Sequence, residues 1–226
     1  MQTLTKAATI LLLVGLTGAL IGPPAIAQSE SEGLNVETDT LTQTLLIHPP
    51  IDARAKALSL SIREHTYRPV LRVGDQLASD FTLQRVGEDG IPRRYQPGTD
   101  GTENEDWYGW RAPVQAPFDA TVTRVQAPDT TNAPGTMNRN AQPGLLFFED
   151  GDVTVVYGHV RELRVDEGET VRAGEVVARV GNNANSRAPH VHVGAWRNDT
   201  PLQIQVDLYA AERESTDENS EENDEN

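Results

Sequence analysis

From residue 41 onward, apolar and polar positions alternate along the chain in short runs. Leu58-Ser59-Leu60-Ser61-Ile62 alternates strictly, and Leu45-Leu46-Ile47 is a short apolar run before it. Val114-Gln115-Ala116, Ala120-Thr121-Val122-Thr123-Arg124-Val125, Leu145-Leu146-Phe147-Phe148 and Val153-Thr154-Val155-Val156-Tyr157 continue the series. Side chains two apart on an extended strand share a face, so each run predicts a strand with one buried face. Glu149-Asp150-Gly151-Asp152 lies between the last two runs, and its Asp-Gly pair predicts a hairpin. Two similar steps follow, Val165 to Val171 and Val171 to Val177, each with a Gly-Glu turn and then a valine to bury. Val177-Ala178-Arg179-Val180-Gly181 closes that unit. No helical periodicity follows the first apolar stretch, apart from a short turn near 51–58. The expected class is all-β and antiparallel. Residues 84–104, rich in Gly, Pro and charge, predict a long loop, and loops of that length are often functional or mobile.

The two ends read differently. Lys6, an apolar run from Ala7 to Ile21 and then Ala25-Ile26-Ala27 before Gln28 have the layout of a cleaved secretory signal over 1–27. The rival is an uncleaved anchor, and the Ala-x-Ala site favours cleavage. No later apolar stretch approaches the roughly 20 residues that span a bilayer, so no stable membrane insertion is expected after cleavage. The mature protein is expected to be secreted or periplasmic, and a monomer. Residues 28–40 read as a flexible leader, 41–106 as a β extension with the long loop, and 107–210 as the principal domain. Residues 211–226 read as a disordered acidic tail, since Glu212 to Asn226 hold eight acids and one arginine.

Charge and cysteine content narrow the partners. The chain has no cysteine, so no disulfide or lipid-bearing cysteine can anchor it. The formal charge of −15 disfavours nucleic acid and anionic lipid.

The candidate chemistry lies in Pro189-His190-Val191-His192-Val193 and Tyr157-Gly158-His159. On a strand, His190 and His192 project side by side, and a third imidazole from a neighbouring strand would complete a site suited to zinc hydrolysis. Bound zinc can lower the pKa of a water molecule to about 7. A half-buried strand whose histidines merely hydrogen-bond is the plainer reading of H-x-H alone.

The surrounding residues sharpen the choice. From about Trp107 to Trp196 the chain resembles the lysostaphin/LytM-like zinc metallopeptidases, which cleave peptide cross-links of bacterial cell walls. The likeness is carried by Ala112-Pro113-Val114-Gln115-Ala116-Pro117-Phe118-Asp119-Ala120, Tyr157-Gly158-His159-Val160, the Gly168-Glu169 and Gly174-Glu175 steps, and Val180-Gly181-Asn182-Asn183 running to Pro189-His190-Val191-His192. The resemblance implies a small antiparallel β domain, a barrel-sandwich hybrid with the duplicated hybrid motif, and a groove over the sheet. It also implies Zn2+ as cofactor and peptidoglycan peptides as partner.

In that family an H-x-x-x-D motif and the second histidine of H-x-H hold the metal. Carried over, His192 is a metal ligand, while His159 and His190 handle protons and the oxyanion. The best match to H-x-x-x-D is Gln76-Leu77-Ala78-Ser79-Asp80, in which Asp80 fits and Gln76 stands at the histidine position. Asp106 competes for the aspartate role, with no histidine at the required offset. A glutamine carbonyl is a poorer zinc donor than imidazole, so the expected set of Asp80, His192 and Gln76 is weakened. His65 could fold back as a substitute, against a plainer reading as a surface or hydrogen-bonded histidine. His48, before two prolines, has less to recommend it. Tyr157 and Arg187, beside the histidines, are the expected substrate contacts.

The Trp107, Tyr108 and Trp110 cluster reads either as a stacking platform or, more simply, as packing at the domain edge. Asn182, Asn183 and Asn185 suit a tight turn.

Two functional readings follow from the resemblance: an exported zinc endopeptidase of wall cross-links, or a catalytically degenerate domain that binds wall or activates another hydrolase. A biotinyl or lipoyl carrier, suggested by the Gly-Glu-x-Val steps, needs a lysine at a hairpin tip, and none follows Lys56. A phosphohistidine carrier works in the cytoplasm, against the leading signal.

Overall fold

The computed structural model describes residues 43–53, 58–69 and 71–210, and these lie in one unit, Glu37–Asn226. The signal, the leader and the acidic tail expected from sequence lie outside the described residues. So does part of the short turn near 51–58.

The strands in chain order are β1 (Thr44–Ile47), β2 (Ser59–Glu64), β3 (Ser79–Val86), β4 (Pro92–Arg93), β5 (Pro113–Gln115), β6 (Ala120–Gln126) and β7 (Leu145–Asp150). They continue with β8 (Val153–Gly158), β9 (Val160–Arg161), β10 (Thr170–Val171), β11 (Val176–Val180), β12 (Val191–Arg197), β13 (Thr200–Pro201) and β14 (Gln203–Val206). One short helix, α1 (Val73–Gln76), precedes β3. The protein is all-β, as its alternation predicts.

A large antiparallel sheet runs in the order β10-β6-β7-β8-β12-β3-β2. β7 and β8 form the hairpin expected at Asp150-Gly151. A three-stranded sheet, β5-β11-β9, carries Val177 of the second Gly-Glu step, while Val171 of the first lies on β10 in the large sheet. β1 pairs with β14 in parallel. Among the described residues no helix is long and apolar enough to cross a membrane.

The period of two sorts the large sheet into two faces. Phe81, Leu83, Leu146, Phe148, Val155, Tyr157, Val191 and Val193 are buried in the core, together with Val114, Val160, Val177 and Val180 of the smaller sheet. The intervening positions, Asp80, Thr82, Leu145, Phe147, Gly158, His192 and Trp196, line a groove of about 900 Å³ on the opposite face. Truncating Phe81 or Phe148 to alanine would cost about 3–5 kcal/mol.

Strand β3 runs to Val86, so the start of the predicted long loop is strand, and β4 pairs back on it through Arg85 and Val86. The extra pairing follows from the alternation of Asp80-Phe81-Thr82-Leu83, which continues the β pattern past the aspartate.

Candidate metal centre

Three segments distant in sequence meet at one end of the groove. β3 lies between β12 and β2, with His192 opposite Asp80 on one side and Arg63 opposite Asp80 on the other. His65 follows β2 directly. Its Nε2 lies 3.1 Å from Asp80 Oδ2, while His192 Nδ1 lies 3.1 Å from Asp80 Oδ1. His65, Asp80 and His192 present donor atoms that all lie within 4.8 Å of one another.

The helix α1 supplies a further carboxylate. Asp75 Oδ1 is 3.1 Å from His192 Nε2, on the ring edge away from Asp80. This contact requires α1 to sit almost on the backbone of β12. A Cβ at Gly194 would fall 1.8 Å from the Gly74 carbonyl oxygen, so only glycine allows the approach. Gly158, paired with His192, leaves room for that imidazole in the same way, since a Cβ there would lie 3.3 Å from the His192 Cβ.

His159 and His190 complete the constellation. The ring centroids of His159 and His190 are 4.7 Å apart, and those of His159 and His192 are 6.0 Å apart. His159 Nδ1 lies 3.0 Å from the Asn183 carbonyl, to which it donates, leaving Nε2 as an acceptor. The Asn183 amide returns a hydrogen bond to the His159 carbonyl at 3.0 Å. His159 has φ of +64°, in the left-handed region, and this reciprocal pair holds it there. His190 Nδ1 donates to the Ala188 carbonyl at 2.8 Å and lies 3.1 Å from Ser186 Oγ, while its Nε2 is 3.5 Å from Asp80 Oδ1.

The electrostatics act in opposite directions on His159 and His192. Burial, with the neighbouring His190 and His192, pushes the His159 imidazole down to about 3, so it is neutral across the ordinary pH range. Burial also acts to lower His192, but in the protein alone the Asp75 and Asp80 carboxylates outweigh it and raise His192 to about 9. Burial works to raise Asp80, yet hydrogen bonds from His190, His192 and His65 hold its carboxyl far below the usual carboxylate range. A permanently ionised aspartate surrounded by imidazoles is an environment that favours a cation.

The sequence-derived candidates fall as follows. Asp80 and His192 sit together at the centre. Gln76 does not join them, because its amide turns away on α1 and donates to the Leu71 carbonyl at 2.9 Å. The imidazole beside Asp80 is that of His65, delivered from the next strand. Tyr157 cannot touch a substrate: it is fully buried on the core face and packs edge-on against Phe148. The strand period explains this, since Gly158 takes the groove side. Arg187 is exposed and lines the groove. His48 is buried elsewhere, beside the Pro49 carbonyl. Asp106 caps a 3-10 turn at Asn104–Asp106, away from the histidines. Asp75 carries no motif of its own in the sequence, and its place beside Gln76 is the one available signal.

Trp107, Tyr108 and Trp110 do not line the groove. Trp107 Nε1 donates to the Gly101 carbonyl, and Arg161 stacks over Trp110 at 4.7 Å. Asn182 and Asn183 are buried and tie the loop before β12 to Asn104 and Gly144, which fixes the approach of His190.

The donor set suits zinc. Two imidazoles and one carboxylate match its preferred ligands, and donors bound at about 2.0–2.2 Å in a tetrahedron lie a little over 3 Å apart. The separations around Asp80 are of that size. His159 and His190 line the same groove as these three donors.

Residues 108–204 match the model of peptidase family M23. No curated protein matches the chain. Among solved structures, the catalytic domain of lysostaphin from Staphylococcus simulans is 16% identical, with 67% of this chain and 93% of that one covered and a TM-score of 0.39. A mutant catalytic domain of the prophage-encoded M23 protein EnpA from Enterococcus faecalis is 18% identical, with 65% and 88% covered and a TM-score of 0.40. An M23-type protein from Pseudomonas aeruginosa is 16% identical, with 70% of this chain and 48% of that one covered and a TM-score of 0.38. The chain thus spans about half the length of that last relative.

Proposed function

We propose that this chain, whose residues 108–204 match the model of peptidase family M23, is an exported zinc endopeptidase that hydrolyses peptide cross-links of bacterial peptidoglycan. The observation that carries the reading is the convergence of His65, Asp80 and His192 on one centre, with the His159 ring 6.0 Å from that of His192. His65 stands in for the histidine that Gln76 lacks, so the departure at residue 76 does not disable the site.

His65 Nε2, Asp80 and His192 Nδ1 would hold zinc, and Asp75 would fix the His192 ring from behind. Zinc in such a site polarises a carbonyl and makes a bound water acidic. The residues supply the rest. His159 Nε2 carries a free lone pair and accepts the proton of the attacking water. Once protonated, it returns that proton to the leaving amine. His190, held by Ala188 and Ser186, steadies the charge that develops on the peptide oxygen when it carries a proton.

The test is metal analysis of the purified chain after zinc loading, beside a wall-digestion assay. Stoichiometric zinc is expected in the native chain and in Gln76→Ala, and its loss in His65→Ala. His159→Ala should keep zinc and lose cleavage by about 10²–10⁴-fold. A His65→Ala chain that retains full zinc would refute the ligand set. A native chain that takes up no zinc would instead support wall binding without cleavage.

A further inference from the structure

Five arginines line the groove of a chain whose formal charge is −15: Arg63, Arg72, Arg94, Arg139 and Arg187. They arrive on five separate segments. Arg63 lies on β2, Arg72 precedes α1, Arg94 follows β4, Arg139 comes from the β6–β7 connection and Arg187 from the loop before β12. The acidic residues of the lining are Asp75 and Asp80, and both are engaged by histidines.

Four arginines outside the groove have closed on acids. Arg93, Arg111, Arg161 and Arg197 each pair with a carboxylate within 3.2 Å. Among the described residues, none of the five groove arginines makes an ion pair. Arg72 lies only near enough to lower Asp75 through space, and Arg139 Nε donates to Met137 Sδ at 3.2 Å. Of 34 acidic residues in the chain, none among those described has closed on these guanidinium groups. Keeping like charges together in one concavity costs self-repulsion, which an anionic ligand removes.

The arrangement also has two sides. Arg63 and Arg72 precede His65 and Asp75 by two and three residues, on the segments that build one flank of the centre. Arg187 precedes His190 by three, and Arg139 lies in a loop joined to it by Gly135 N to Arg187 O and Asn138 N to Ala184 O hydrogen bonds. Guanidinium groups match carboxylates through paired N–H donors. Between them the floor is apolar, with Leu145, Phe147 and Trp196. A peptide with free carboxylates fits this combination. A long phosphate polymer does not, because the rest of the chain is strongly acidic and repels it.

We propose that the groove selects peptides bearing free carboxylates on both sides of the scissile bond, with Arg63 and Arg72 on one flank and Arg139 and Arg187 on the other as specificity residues. This rests on the peptidase reading of the same site. The test compares a short peptide carrying free side-chain and terminal carboxylates with its fully amidated twin. Binding is followed by fluorescence anisotropy on the full zinc-loaded His159→Ala chain, which reads affinity without turnover. The free-acid peptide should bind at least about tenfold tighter, with an advantage that shrinks as salt is added. Arg139→Gln/Arg187→Gln in that background should remove most of the advantage while leaving zinc content and melting temperature unchanged. Equal binding of the twins, an unaffected double variant, or stronger competition by inorganic polyphosphate than by the free-acid peptide would each overturn the proposal. Cleavage of the pair by the native chain is scored separately. Tight acid-selective binding with no cleavage would sink the peptidase reading and leave the anion-selective groove standing.

Discussion

The Asp75 carboxylate meets His192 on the Nε2 edge while Asp80 meets it on Nδ1, so the ring is gripped from both sides. Such an outer carboxylate fixes the tautomer and raises the basicity of the metal-facing nitrogen. Asp75→Ala should therefore weaken zinc binding by about 10–100-fold, measured by chelator competition. Unchanged affinity would mean the contact is incidental. Tyr157 gives the opposite kind of prediction. Its hydroxyl is buried and lacks a hydrogen-bond partner. Tyr157→Phe should leave wall cleavage intact and hold or raise stability by about 1 kcal/mol, read from urea unfolding. A loss of cleavage would return this residue to the substrate site. Tyr157 and His159 are two apart, and a regular strand would place both on one face. The left-handed backbone at His159 breaks that rule, and a period of two gave no warning of it.

At the level of elements, the centre depends on how closely α1 rides on β12. Gly74 and Gly194 make the approach, and Trp196 and Val156 pack around Gly74. Gly194→Ala would force the Gly74 carbonyl away and carry Asp75 with it. We expect a cost of about 1–3 kcal/mol in stability together with weaker zinc binding. Stability and zinc affinity that both match the native chain would show that α1 can shift freely. The strands themselves were legible. Leu58 to Ile62, Ala120 to Val125 and Val153 to Tyr157 announced themselves by alternation, and Asp150-Gly151 by its turn chemistry. The helix α1 was not, because four residues carry no periodicity, and its role is set by packing against β12.

Across the whole molecule, the centre joins β2, β3 and β12 and so pins the strand at the end of the large sheet. A ligand that binds only the folded state stabilises it by about 2.7 kcal/mol at a hundredfold excess over its Kd. Removing metal with a chelator should therefore lower the melting temperature of the native chain and leave His65→Ala unmoved. A melting temperature indifferent to chelator in both would count against a metal bridge. The same scale explains the charge. A formal net charge of −15 and an arginine-lined groove coexist in one chain, and composition alone reports only the sum.

Alternation and turn residues, being local, determined the all-β class, most strand positions and the pairing of His190 with His192 on one wall. Distances that span the chain were settled by folding alone. His65 and Asp80 are fifteen residues apart and Asp80 and His192 a further 112, so their meeting depends on strand order and register, which local spacing does not encode. The choice of His65 over Gln76, the burial of Tyr157 and the gathering of five arginines all follow from which strand lies beside which, and from which face each side chain is given.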